Sequence, residues 1–175
     1  MCPANSATTC RIFQLPIGRE KGNTLSPRDR RPWELLVVDD NRGDSELLCL
    51  ALSEWKSLVR VHVVEDGNLA LKYLRREWPY DDMMLPDLIL LDLHLPGKDG
   101  IEVLKDLRSD PHLRNIPVVM ITSSESRSDV ARAYGSHVNS YITKCADARV
   151  FFARIRALEE YWFNTVQLPS DEKLA

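Results

Sequence analysis

The sequence predicts an α/β domain built on a doubly wound, five-stranded parallel sheet. Short apolar runs (LLVV at 35–38, LILL at 88–91, VVMI at 118–121) are each followed by a segment with apolar residues at helical spacing. Strands buried on both faces of a parallel sheet read as continuous apolar runs, because helices cover both sides. This strand–helix alternation occurs five times within 175 residues, a length that supplies one well-buried core and is short for two ordinary domains.

The first strand, LLVV, runs into the polar loop Asn41 to Asp44 and then a helix with Leu47, Leu48, Ala51, Leu52 and Trp55 on one face. VHVV at 61–64 is the second strand, and its helix carries Ala70, Leu71 and Leu74. The third strand, LILL, precedes a helix with Ile101, Leu104 and Leu107; the fourth, VVMI, starts after Pro117 and leads to a polar helix around Glu125 to Tyr134. A short fifth strand at Ser140 to Thr143 precedes a final helix striped by Phe151, Ile155, Leu158 and Trp162. Residues 1–33, with four prolines and the charge cluster RDRR at 28–31, show no sustained apolar period and read as a disordered extension; residues 34–165 are the domain and 166–175 a short tail.

In open α/β sheets, ligands sit outside the carboxyl ends of the strands. Asp39 and Asp40 end the first strand, Asp92 the third, Thr122 the fourth and Lys144 the fifth, so these five polar groups should converge on one edge. Carboxylates about 4 Å apart repel by roughly 4 kcal/mol at an effective dielectric of 20, so such a cluster calls for a cation. Mg²⁺ suits it, since it takes oxygen ligands and usually only one or two carboxylates plus a phosphate oxygen. A phosphoryl group arriving on Asp92 would need positive charge, which Mg²⁺ and Lys144 supply, and a hydroxyl donor, which Thr122 supplies. Taken singly, an acid pair after a strand is a solvated turn or helix cap, and Thr and Lys are bland; it is the conjunction, in this order, that points to a phosphoacceptor.

The net charge of −3 offers no basic field for nucleic acid. No apolar run approaches the roughly 18–20 residues that cross a bilayer, and the N-terminus lacks the apolar core of a secretory signal, so a cytoplasmic address without membrane attachment is expected. Cys2, Cys10, Cys49 and Cys145 have neither zinc-site nor disulfide-framework spacing.

At these residues the chain resembles the receiver domains of two-component response regulators over about residues 34–165, with the acid pair, LDLHLPGKDG, ITSS and YITK in the expected order. The resemblance implies the flavodoxin-like, CheY-like fold with strand order 2-1-3-4-5. It implies Asp92 as phosphoacceptor, Asp40 as a direct Mg²⁺ ligand, Asp39 as an outer-shell one, and the backbone carbonyl of His94 as a third protein ligand. Thr122 would be the switch hydroxyl, Tyr141 a rotating aromatic and Lys144 the phosphate-binding cation. Such a protein is not an enzyme acting on a separate substrate; it catalyses its own metal-dependent phosphotransfer and dephosphorylation. Most receivers carry Pro after this Lys, where Cys145 stands here, and His94 borders the path of attacking water.

LLVVDDNRGDSELL, REWPYDDMMLPDLILLDLHLPGKDGIEVL and the ending EEYWFNTVQLP at 159–169 are most similar to the receivers that serve cyanobacterial phytochromes. This implies a sensor histidine kinase of the phytochrome type as phosphoryl donor. About a dozen residues follow the last helix, too few for an output domain, so output would pass through the receiver's own surface to a protein partner. Phe151, Phe152, Tyr161, Trp162 and Phe163 make the last helix unusually aromatic. One face can bury only part of this, and a homodimer through Phe151, Phe152, Ile155 and Trp162 is expected. Two other readings compete: a docking module that works without phosphorylation, and a haloacid-dehalogenase-like phosphatase, which needs a second Asp two residues after its nucleophile, where this chain has His94.

Overall fold

Five parallel strands form the sheet: β1 (Trp33–Val38), β2 (Val59–Val64), β3 (Leu88–Leu91), β4 (Val118–Thr122) and β5 (Ser140–Thr143). The computed structural model describes residues 12–13 and 31–169. Among these five the strand order is 2-1-3-4-5, as the resemblance implies. Register runs Val38 opposite Val64 and Leu91, Leu91 opposite Met120, and Thr122 opposite Thr143, so the carboxyl ends of β1, β3, β4 and β5 lie side by side.

Helices α1 (Arg42–Leu52), α2 (Gly67–Leu74), α3 (Gly100–Ser109), α4 (Arg127–Gly135) and α5 (Ala148–Glu159) cover the two faces. Because side chains alternate along a strand, Leu36, Val38, Ile89, Leu91, Val118 and Met120 face one core with Ala70, Leu71, Leu74, Leu104 and Leu107. Leu35, Val37, Leu88, Leu90, Val119 and Ile121 face the other, with Leu48, Leu52, Trp55, Phe151, Ile155 and Leu158. The buried Glu34 of β1 is satisfied by Arg60 and His62 on β2. Among the described residues no helix is long and apolar enough to cross a membrane.

Three boundaries differ from the expectation. β1 and β2 each start two residues earlier than the apolar runs, at Trp33 and Val59, because the charged residues that interrupt the apolar pattern, Glu34 and Arg60, pair with each other in the ladder. Ile12–Phe13, inside the expected disordered extension, pair antiparallel with Val59–Arg60 on the outer edge of β2; residues 1–11 and 14–30 lie outside the described residues. The chain does not leave the domain at 165. After α5 the helix widens to a π-helical segment, Glu160–Thr165, which stacks Phe163 on Trp33 at 4.8 Å and sets it edge-on to Trp55 at 5.4 Å. Glu159, buried, accepts a hydrogen bond from the Ser57 amide, and Leu168 is buried in the same core.

This wrapping corrects the expected dimer face. Phe151, Ile155 and Trp162 are buried in the chain's own core and Phe152 is half-buried against it. The aromatic residues of the last helix are divided between sheet and solvent by the π-helical widening; Tyr161, at 53% exposure, is the one left outside.

Candidate functional site

The backbone ladder carries past the strand ends and fixes the loop residues. Asp39 donates its amide to Val64, Asp92 to Val38, and Lys144 to Thr122, at 3.0, 2.8 and 2.7 Å. Asp39 and Asp92 thus stand in adjacent register positions, both buried, at 3% and 7% exposure. Thr122 is fully buried, while Asp40 and His94 are exposed on the rim. The five groups predicted from the sequence do meet on one sheet edge.

Lys144 forms the centre of the site. Its Nζ lies 2.8 Å from Asp39 Oδ2, 2.8 Å from Asp44 Oδ2 and 3.4 Å from Asp92 Oδ1. Burial alone would lower the ammonium pKa, but hydrogen bonds to Asp39 and Asp44 and the charge of Asp92 outweigh it and push it up to about 12. Burial raises the Asp39 carboxyl above its ordinary range, despite the hydrogen bonds from Lys144 and from the Asn41 amide. Its site is short of positive charge even with the lysine in place.

Asp92 Oδ2 accepts the His94 amide at 2.9 Å. Asp92 Oδ1 is buried and has no hydrogen-bond partner; the lysine stands within ion-pair distance but outside hydrogen-bond geometry. A buried anionic oxygen left without a donor is costly unless something occupies its lone pairs. An all-oxygen donor set of this kind fits a hard divalent cation. Among the described residues no three His, Cys, Asp or Glu side chains are grouped so as to encage an ion by themselves.

The loop following Asp92 is anchored by two glycines. Gly97 takes φ +74°, the left-handed region, against Asp66 and Asn68 at the start of α2. A Cβ on Gly100 would stand 2.2 Å from the Asp92 carbonyl oxygen. Asp99 then caps α3 in a reciprocal box with Glu102, so β3, the loop and α3 are fixed together. Among the described residues the single cis peptide is Trp78–Pro79, so Lys144–Cys145 is trans.

On the far side, Tyr141 lies half-buried on β5 and donates its hydroxyl to the Ser124 carbonyl at 2.9 Å. Ser124 Oγ donates to Asp129 Oδ2 at 2.7 Å, and the Ser124 amide reaches Thr122 Oγ1 at 3.4 Å. Ser124 therefore joins the Thr122 hydroxyl to both Tyr141 and α4. Sequence reading missed Ser124, Asp129 and Asp44. Asp44 was legible in principle, as an acid in the first turn of a helix that starts beside the acid pair.

In metal-free protein, Asp39→Asn is expected to raise the melting temperature at pH 7. A carboxyl whose folded pKa lies above its unfolded value of 3.8 stabilises only while protonated, and that benefit is lost as pH rises through the folded pKa. Removing the charge should therefore help at neutral pH and make little difference well below pH 3.8. Thermal melts in chelator across pH 3–8 would check this; equal melting temperatures at neutral pH would contradict the burial argument.

The sequence profile of the response regulator receiver domain matches residues 35–156. Response regulator Rcp1 of Synechocystis sp. is 36% identical over 146 residues, 83% of this chain and 99% of that protein. The crystal structure of the phosphorylated cyanobacterial phytochrome response regulator RcpA superposes with a TM-score of 0.77 at 43% identity, covering 80% of this chain and 100% of that one. The Mn²⁺-bound form of Rcp1 gives 0.75 at 37% identity, over 79% and 100%. With the fold, the acidic edge and these likenesses in agreement, the chain belongs to the response regulator receiver domain family.

Proposed function

We propose that this receiver takes a phosphoryl group onto Asp92 from a sensor histidine kinase of the phytochrome type. The observation that carries the reading is Asp92 Oδ1: a buried carboxylate oxygen, free of hydrogen-bond donors, with the Lys144 ammonium 3.4 Å away. That oxygen attacks phosphorus, an O–P bond forms, and the N–P bond of the donor phosphohistidine breaks with the released imidazole taking a proton. Receiver domains bind a divalent metal. Here Mg²⁺ would be held by Asp40, Asp92 and the His94 carbonyl, with Asp39 behind them, and would neutralise charge on the phosphoryl oxygens.

The lysine offers its third N–H to the same group, since two are engaged by Asp39 and Asp44. The Thr122 hydroxyl donates to the phosphoryl oxygen and moves the Ser124 loop, so the Tyr141–Ser124 hydrogen bond is the element that reports occupancy. The phytochrome assignment rests on the likeness to Rcp1 and RcpA, and the cytoplasmic setting on the kind of kinase it implies. Output passes through the groove of about 720 Å³ along β5 and α5, lined by Tyr141, Ile142, Arg154, Tyr161 and Trp162. Its occupant is a second copy or a downstream protein, with Tyr161 rather than Phe151 or Ile155 on the outside.

Intact mass after exposure to an acyl phosphate tests this. Wild type with Mg²⁺ is expected to gain about 80 Da, and Asp92→Asn or wild type in chelator to gain nothing. A folded wild type that gains no mass would transfer the reading to a docking module that works without phosphorylation.

A further inference from the structure

Asp44 has an ordinary explanation as an acid in the first turn of α1, where it suits the helix dipole. Its geometry goes further. Asn41 caps the helix by accepting the Gly43 and Asp44 amides, which fixes the Asp44 backbone beside the site. From there its carboxylate reaches Lys144, 100 residues away in sequence, at 2.8 Å, matching the contact made by Asp39. Lys144 is thus held by two carboxylates, and the two differ in kind. Asp39 is buried at the end of β1 and borders the cation site; Asp44, its side chain 38% exposed, comes from the first turn of α1.

Resting on the phosphoacceptor reading above, we propose that Asp44 is a positioning residue that keeps the Lys144 ammonium beside Asp92 when a divalent cation draws on Asp39 from behind its water shell. One carboxylate cannot serve lysine and cation equally well, because their charges repel at this range. Without Asp44 the ammonium has only Asp39 and Asp92 to pair with, the two acids that the cation also needs. Lysine and cation then compete. With Asp44 present, the lysine retains a counter-ion, stays within reach of the acceptor oxygen, and yields Asp39 at little cost.

Mn²⁺ affinity, read from the electron paramagnetic resonance signal of free Mn²⁺, separates this from a general charge or dipole effect. Asp44→Asn is expected to weaken Mn²⁺ binding about 3- to 10-fold in wild type, and by less than about 2-fold when Lys144 is replaced by Met, since the competitor is then gone. Asp44→Glu, which keeps the charge on a longer arm, should recover most of the affinity. At saturating Mn²⁺, Asp44→Asn should also take up phosphate from an acyl donor several-fold more slowly. Equal loss of affinity in both backgrounds would overturn the proposal, as would an Asp44→Glu variant no better than Asp44→Asn. If the doubly substituted protein does not fold, the Glu and Asn comparison decides. Wild type that binds Mn²⁺ but takes up no phosphate would sink the phosphoacceptor reading and leave the binding cycle to judge Asp44 by itself.

Discussion

Lys144→Met is expected to slow phosphate uptake by about 10²- to 10³-fold, the usual cost of removing one fixed charge that meets a developing anion. It should also destabilise the metal-free protein by about 2–4 kcal/mol, because it strips the shared ammonium from Asp39, Asp44 and Asp92 and leaves buried carboxylates facing one another. The partial exposure of Asp44 keeps the figure below that of a fully buried pair. Millimolar Mg²⁺ should restore much of the loss, since an ion that binds only the folded state stabilises it by mass action. The lysine's folded pKa is raised to about 12, so its contribution is complete below the unfolded value of 10.5 and disappears as pH rises through the folded one. Urea titrations in chelator and in Mg²⁺ would show this. A variant as stable as wild type in chelator would mean that the three acids are relieved by solvent, and would remove the electrostatic account of the site.

Gly100→Ala is expected to cost about 2–3 kcal/mol, an overpacking effect, and to slow phosphate uptake by about 10- to 100-fold through displacement of the acceptor. The new methyl would stand 2.2 Å from the Asp92 carbonyl oxygen and 3.0 Å from Leu93 Cα, backbone atoms that cannot turn aside as a side chain would. The comparison that isolates the cause is Gly135→Ala at the end of α4, where a Cβ meets nothing within 4 Å. That substitution should be neutral or gain up to about 1 kcal/mol from helix propensity. Urea midpoints and acyl-phosphate uptake for both variants would check the pair; a Gly100→Ala protein with wild-type uptake would show that the loop gives way without moving Asp92.

The parallel sheet was legible because β1, β3 and β4 are buried on both faces and therefore uninterrupted in sequence, and the edge on which Asp39, Asp92, Thr122 and Lys144 meet follows from strand ends alone. Asp44 was harder to see, because its role depends on where the lysine's long side chain goes. Such a contact spans α1 and the end of β5 and leaves no local periodicity. The aromatic ending misled for a related reason. A stripe at helical spacing assumes 3.6 residues per turn throughout, and the π-helical turn after Glu159 re-aims Phe163 toward Trp33, on the opposite end of the chain.

The stacking of Trp33 on Phe163 also has a geographical meaning. The chain enters its first long strand and completes its last helix at one spot, at the amino end of β1, a strand's length from the acidic edge. Six residues of strand span about 20 Å. A partner that grips the domain at this stack, through Trp33 or Phe163, would therefore stand on the side remote from the acidic edge. Such a partner would leave the acidic edge open, and would answer to its state through movement relayed by the sheet and helices between.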